Sequence, residues 1–396
     1  MPIRIALLHH RNPDISLIQR GKDLCNLMFT THRYEIVDTN PDILLFISGG
    51  SEMSAINYID NDRFPILVAG PWNNAWAAAT EVLSLIQLQG KSARLYNYEH
   101  PDTLNHILEY VKIKNQLEQL SGQKIALIGT VSDWLVNSSI EPELLEKTTG
   151  MILKKMPWDT LPSYNEFQCP DKFLSSFTAT NFATIKESGK VYALLKNVIA
   201  KENLTGITVE CFSLVTRDKI TACLPLALIN TENIPAACEG DIVSLVGMKI
   251  IQAITGSIPW MANTVMVHKE TVDFAHCTVP MNYLKGFHIT THYETGEGTA
   301  IKGTLNDGKY TLIRFNSTLT KVFLSEVSTL EDPKIQQACR TQITFNINKN
   351  DAQLLREKPL GNHHLIISGH WAKYIEKAAD VLSMETNLSG CPKVTW

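Results

Sequence analysis

The chain has 396 residues, 44% of them hydrophobic and 19% charged, which gives room for two or three domains of ordinary globular composition. A formal net charge of −4 supplies no electrostatic reason to bind nucleic acid or an anionic membrane. Eight cysteines without a C-x-x-C pair argue against a disulfide framework or a thiolate zinc site, and for a reducing, cytoplasmic setting. The opening Met-Pro-Ile-Arg-Ile-Ala-Leu-Leu is too short an apolar run for a signal peptide. No stretch approaches the ~18 apolar residues of a membrane helix.

In chain order, Ile3–Leu8 reads as a strand, 14–30 as a helix, and Ile43–Ile47 as a strand ending in Ser-Gly-Gly-Ser. Pro65–Ala69 is a third strand, closed by Gly70-Pro71-Trp72-Asn73-Asn74. A helix (Ala75–Gln89), a strand (Ala93–Tyr96) and a helix (Pro101–Gln119) follow. Such alternation predicts βαβ units on a parallel sheet, over residues 1–121. After a polar joint at Glu118–Lys124, a second α/β domain is expected over 122–262. Its strands are Lys124–Gly129, 206–210 and 234–238, and its helices 142–155, 181–200 and the apolar Glu239–Thr255.

From residue 263 to 396 strand-like runs dominate, at 264–268, 272–278, 286–292, 299–304, 309–315 and 341–347. Asn306-Asp307-Gly308 is a hairpin signal, and a helix at 370–383 closes the chain. This part reads as an antiparallel barrel or sandwich.

Seven of the 12 histidines lie after residue 265. Upstream of them, Ile-Pro-Ala-Ala-Cys-Glu-Gly-Asp (234–241) places Glu239 where a buried strand meets a helix start. Ligands in open α/β sheets bind beyond the carboxyl ends of strands, and the helix start favours an ionised carboxylate. Glu239 is therefore a candidate metal ligand or a plain helix-start acid, and Asp241 a helix-start carboxylate. His276 and His363 are candidate imidazole ligands; the alternative for a strand histidine is a hydrogen-bonded core residue. Because adjacent strand residues face opposite ways, at most one of His363 and His364 meets a given metal. His370 in Ser-Gly-His is read as bonding near the following helix. An oxygen and nitrogen donor set suits Mn²⁺, Mg²⁺ or Co²⁺. Neither Glu294-Thr-Gly-Glu-Gly-Thr-Ala-Ile-Lys302 nor Leu127-Ile-Gly-Thr-Val-Ser132 has the order of a phosphate or dinucleotide loop.

Together these segments resemble the L-fucose isomerase and L-arabinose isomerase family. Asn-Thr-Glu-Asn-Ile-Pro-Ala-Ala-Cys-Glu-Gly-Asp-Ile (230–242) is similar to the segment carrying the family's first metal-binding Glu. Thr255-Gly256 through Trp260-Met261-Ala262-Asn263 is similar to the one carrying its second carboxylate. Ala275-His276 and Gly361-Asn362-His363-His364 resemble the segments of its imidazole ligands. The resemblance implies two Rossmann-like parallel-sheet α/β domains followed by a C-terminal β-barrel-like domain. It also implies a homo-oligomer with the active site near a subunit interface, and a divalent-metal aldose–ketose isomerase working through an enediol.

In that reading Glu239 is metal ligand and acid/base, His276 and His363 complete the metal set, and the N-terminal His9 and Arg11 contact substrate. Trp72, Asn73 and Asn362 are further substrate candidates; solvated loop charges and a core-packed Trp72 are the bland alternatives.

One departure stands out. Asn263 occupies the place of the second carboxylate, and an amide cannot act as a general base. Either the alignment is slipped, or Glu210, Glu294 or Glu297 has the role, with Glu210 preferred, or catalysis is lost. A deoxy or sulfonated aldose is the expected substrate, since a basic N-terminal loop suits an anionic tail. The alternatives are a sugar-binding protein of the same fold and a metal hydrolase.

Overall fold

The computed structural model describes residues 2–59, 64–177 and 182–390. Two units emerge, one built on Met1–Gln116 with Glu376–Glu385, the other on Leu117–Ile375.

In the first unit β1 (Ile3–Leu8), β3 (Ile43–Phe46) and β4 (Ile66–Ala69) are short apolar runs, and β3 and β4 are buried along their whole length. Continuous apolar strands suit a parallel sheet covered on both faces. Crossovers are made by α1 (Ile15–Met28), α2 (Glu52–Ile59) and α3 (Ala75–Leu88), and α4 (Thr103–Glu118) follows the last strand. The short β2 (Tyr34–Ile36) and β5 (Arg94–Asn97) form the edges of an all-parallel sheet ordered β2-β1-β3-β4-β5. Phe46, Leu67, Ala79 and Val82 lie in its core. Neither β2 nor α2 was legible, one being only three residues long and the other following a Gly-Gly pair. Asp380 from the C-terminal segment accepts hydrogen bonds from Arg94 and Tyr110, which ties that segment into this unit.

Strand order reverses between β1 and β3, and a cleft of about 770 Å³ opens beyond their carboxyl ends. His10, Ser48, Gly49, Asn73 and Asn74 are among its lining residues.

The second unit opens with β6 (Lys124–Ile128), α5 (Pro142–Thr149), β7 (Ile152–Met156), α6 (Asp171–Ser176), α7 (Phe182–Glu202), β8 (Leu204–Val209), α8 (Phe212–Asp218), α9 (Cys223–Thr231), β9 (Ala236–Cys238) and α10 (Ile242–Thr255). A second parallel sheet runs β7-β6-β8-β9. The expected helix over 142–155 stops at Thr149, because Gly150 takes the left-handed conformation (φ 75°). Ile152–Met156 instead forms the edge strand, with Lys154 and Lys155 on its open rim. Residue 181, where the next helix was expected to begin, lies outside the described residues.

Strands β10 (Trp260–Val267), β11 (Thr271–His276), β14 (Lys309–Phe315), β15 (Lys321–Thr329), β16 (Thr341–Asn346) and β17 (His363–Ser368) follow; β12 (Leu284–Thr290) and β13 (Ala300–Leu305) pair apart from them. The larger sheet runs β14-β17-β10-β11-β16-β15-β18, where β18 is the short Glu385–Thr386, and antiparallel pairing of β14 with β15 closes the first six strands into a ring. Helices α11 (Lys349–Glu357) and α12 (Ala372–Val381) complete the elements.

Asn306-Asp307-Gly308 turns out to join strands of two different sheets rather than to make a hairpin. Its Asn306 and Gly308 N–H groups are taken by Tyr283 O and Thr329 Oγ1. Strand β10 starts at Trp260, earlier than expected, since the apolar Trp-Met-Ala run pairs with β17. The seven cysteines among the described residues are free. No helix among them is long and apolar enough to cross a membrane.

Candidate metal centre

Beyond the carboxyl end of β9 the chain turns sharply through two left-handed residues, Glu239 (φ 60°) and Gly240 (φ 72°). Gly240 is required there: a Cβ would stand 2.2 Å from the Thr130 carbonyl oxygen. Helix α10 then starts at Ile242, with Asp241 as its N-cap accepting from Ser244 N–H at 2.7 Å. The turn projects Glu239 off the end of the sheet rather than placing it inside the first helical turn.

Glu239 Oε1 lies 3.9 Å from His276 Nε2 and 3.8 Å from His363 Nε2. Ligand atoms from the three side chains fall within 4.8 Å of one another. His276 comes from the last residue of β11 and His363 from the first of β17, so a parallel sheet and two barrel strands converge on one point. Both Nε2 atoms are buried without a hydrogen-bond partner. Leaving such atoms unpaired costs roughly 1–3 kcal/mol each, and an ion at their common focus would satisfy His363 Nε2 directly and His276 Nε2 once its ring proton has moved to Nδ1. The set of one carboxylate and two imidazoles could hold a metal ion.

Behind the ligands stands a charged, buried support. His363 Nδ1 is 2.9 Å from Asp241 Oδ2, and Arg314, 1% exposed, reaches the same carboxylate at 3.4 Å. Arg314 also donates to His363 O at 3.1 Å. Burial pushes the Asp241 carboxyl up, but Arg314 and the His363 bond prevail and hold it well below the usual carboxylate range. An ionised Asp241 fixes the His363 proton on Nδ1 and leaves Nε2 as a lone pair.

His276 is set differently. Thr278 N–H donates to its Nδ1 at 3.1 Å, so the neutral ring carries its proton on Nε2. Burial, then the neighbouring His363 and His292, lowers its pKa to about 3.

The other Glu239 oxygen accepts from Trp134 Nε1 at 2.7 Å. Trp134 packs edge-on against Phe212 at 4.5 Å, and Phe212 edge-on against His292 at 5.5 Å. His292 Nε2 in turn lies 3.2 Å from Glu294 Oε2. One continuous wall therefore runs from Glu239 to Glu294.

The remaining expected residues fall elsewhere. Glu210, at the end of β8, is 6% exposed and accepts from Ser213 N–H at 2.9 Å, which caps α8. Asn263 is paired across the sheet with His363; its amide oxygen accepts from Asn362 at 2.6 Å, and its amide nitrogen lies 3.9 Å from Cys339 Sγ. His364 faces away from His363, bonded to Thr264 Oγ1 at 2.9 Å between Phe274 and Phe323. His370 bonds Glu326, whose other oxygen accepts from Ala372 N–H at the start of α12.

His9, Arg11, Trp72 and Asn73 belong to the first unit. His9 bonds the His10 carbonyl, Trp72 is 59% exposed rather than packed in the core, and Asn73 stands at the rim of the cleft.

Sequence reasoning did not single out Trp134, Phe212, His292 or Arg314. Only Arg314 left a trace, as a lone charge in the apolar strand Thr311-Leu-Ile-Arg-Phe315. A cation inside such a strand calls for a buried acid.

No protein-family model matches the chain. Against a curated protein, sulfoquinovose isomerase of Alkalicoccus urumqiensis, it is 26% identical over 144 residues, 34% of this chain and 32% of the relative. The match thus spans about a third of that relative's length, and over that stretch the chain is similar to a sugar isomerase.

Proposed function

We propose that the protein is a divalent-metal-dependent aldose–ketose isomerase acting on an open-chain aldose through an enediol. The observation that carries this is the convergence of Glu239, His276 and His363, with two unpartnered buried Nε2 atoms and Asp241 behind one of them. The similarity to a sugar isomerase supports the same class, and the name of that relative makes a sulfonated aldohexose the first substrate to try.

The ion, when bound, supplies Lewis-acid stabilisation of negative charge on the sugar oxygens. Glu239 offers one oxygen to it while Trp134 restrains the other. Asp241 and Arg314 keep His363 in the tautomer that presents a lone pair. The reading includes a homo-oligomer in which the half-buried His9 and the exposed Arg11, Trp72 and Asn73 of one copy serve the substrate of another, and Asn362 orients Asn263 beside the triad.

Asn263 favours a second reading, a sugar-binding protein that has lost turnover. Mass spectrometry of sugars incubated in deuterated water with Mn²⁺ or EDTA separates the two. A metal-dependent ketose carrying one solvent deuteron supports the isomerase. Sugar binding by a metal-loaded protein without ketose or exchange supports the alternative.

A further inference from the structure

We infer that Glu294, oriented by His292, is the acid/base that carries the proton between C2 and C1 of the aldose, the role that the Asn263 amide cannot fill. This rests on the isomerase reading above. Proton transfer in such a site needs a carboxylate that is close to the ligands yet not consumed by them, and held so that it can both take and return a proton. The candidate carboxylates differ in just this respect. Glu239 is committed at both oxygens, to the imidazoles and to Trp134. Asp241 is fully buried between Arg314 and His363. Glu210 caps α8, and Glu297 faces Lys219 at 3.8 Å.

Glu294 keeps 44% of its side chain exposed and has a neutral partner, His292, at 3.2 Å. Burial and the charge of Glu239 raise its pKa, while His363 acts in the opposite sense. Those two influences come from ligands of the triad itself. Burial and then Arg340 lower His292 to about 4, so the ring stays uncharged and can serve as donor or acceptor toward Glu294.

The loop carrying the pair is firmly built. His292 N–H donates to Glu297 O at 2.9 Å, and Gly296 N–H returns to His292 O at 3.0 Å. Thr299 N–H donates to Thr221 Oγ1 at 2.9 Å, close beside Gly298, where a Cβ would meet Thr221 at 2.6 Å. Phe212 backs the His292 ring and links it through Trp134 to Glu239.

In the step, the Glu294 carboxylate takes the C2 proton and the C2–H electron pair becomes the C1–C2 double bond. The C1 carbonyl π pair moves onto O1, which receives the proton leaving O2. Glu294 then returns its proton to C1, the double-bond pair forms the new C–H bond, and an O2 lone pair closes the C2 carbonyl. Nothing is oxidised or reduced overall, and no co-reactant is needed.

The test uses Mn²⁺-loaded full-length protein with sulfoquinovose, L-fucose and L-arabinose deuterated at C2, reading loss of deuterium to water alongside ketose formation. Mn²⁺ affinity is measured separately by calorimetry. Glu294→Gln is expected to slow exchange about 10²–10⁴-fold while Mn²⁺ affinity stays within about threefold, the ion's ligands being untouched. Glu297→Gln, in the same loop, should exchange at the wild-type rate. Glu294→Asp keeps the carboxylate and should lose activity through kcat without losing the metal, which decides the matter if the Gln variant folds poorly. His292→Ala should lower kcat with KM unchanged and His292→Gln should recover part of it, as expected of a positioning residue.

Exchange by Glu294→Gln within about tenfold of wild type would overturn the assignment, since that is less than general acid–base catalysis supplies. So would loss of Mn²⁺ from that variant, which would make Glu294 a ligand. A metal-loaded wild type that neither exchanges nor forms ketose would instead bring down the isomerase reading, and the Glu294 role with it.

Discussion

His363 Nδ1 meets Asp241 Oδ2 at 2.9 Å, and the same carboxylate caps α10 and faces Arg314. One acid therefore holds a ligand's tautomer, starts a helix and neutralises a buried guanidinium. Asp241→Asn keeps the cap but strands Arg314. It should cost about 3–5 kcal/mol of stability, the penalty for unpairing a buried charge, and about 10–100-fold in metal affinity. Urea unfolding and Mn²⁺ calorimetry measure the two. Pairing Asp241→Asn with Arg314→Met should recover stability but not affinity; recovery of both would show that the carboxylate is irrelevant to the metal.

The two imidazoles should not be equal ligands. His363 is already in the tautomer with Nε2 free, whereas His276 has its Nδ1 occupied by Thr278 N–H. Uptake of an ion at His276 requires the ring proton to move from Nε2 to Nδ1, where it displaces the Thr278 hydrogen bond. His363→Gln is thus expected to weaken Mn²⁺ binding more than His276→Gln, by roughly tenfold on the scale of a tautomer-fixing contact. Mn²⁺ calorimetry on the two variants measures the difference.

Acid should unfold the metal-free protein from near neutrality. Burial is the main cause that lowers His276 and His364 to about 3 and His292 to about 4. These folded-state values lie below that of an unfolded histidine, about 6.5, so the unfolded chain binds more protons in between. Stability is then complete above pH ~6.5 and falls as pH drops toward the folded values, by about 1.4 kcal/mol per pH unit for each histidine. Asp241 carries the same sign lower down: its depressed carboxyl adds stability above pH ~4 that disappears below. Urea titrations in EDTA from pH 7.5 to 4.5 test this, and a flat profile would mean that the rings are solvated.

Two left-handed glycines separate strain from collision. At Gly256 (φ 75°) a Cβ meets nothing within 4 Å, whereas at Gly240 (φ 72°) it meets the Thr130 backbone at 2.2 Å. Gly256→Ala should cost about 1 kcal/mol from backbone strain alone. Gly240→Ala must also displace the turn that carries Glu239, so it should cost more and lose Mn²⁺ binding. Equal effects on both quantities would separate the turn from the metal centre.

Much of the architecture was legible because it is written in local patterns. Apolar runs such as Ile43–Phe46 and Lys124–Ile128, spaced by helix-length segments, specify parallel strands without knowledge of their partners. Residue type and strand-end position made Glu239, His276 and His363 candidates one by one, and the resemblance of their segments to known ones joined them into a single set, since the three obey no local spacing. What failed depended on tertiary pairing. Ile152–Met156 could continue a helix until β6 claimed it, and Asn306-Asp307-Gly308 carries hairpin chemistry while its flanking strands pair elsewhere. The wall from Trp134 through Phe212 to His292 left no mark, because aromatic contacts between distant loops have no sequence period.

Among the described residues, six of the eleven left-handed positions outside glycine belong to asparagine, the side chain that tolerates that backbone most readily, and Glu239 is the single acid. Were folding alone to choose at position 239, an asparagine or glycine would be the economical answer. Replacing Glu239 by Gly should therefore yield a protein that melts at a higher temperature than the wild type in EDTA and is inert in Mn²⁺. Thermostability and chemistry pull in opposite directions at this one turn, and a selection for heat resistance without substrate would be expected to erase the glutamate early.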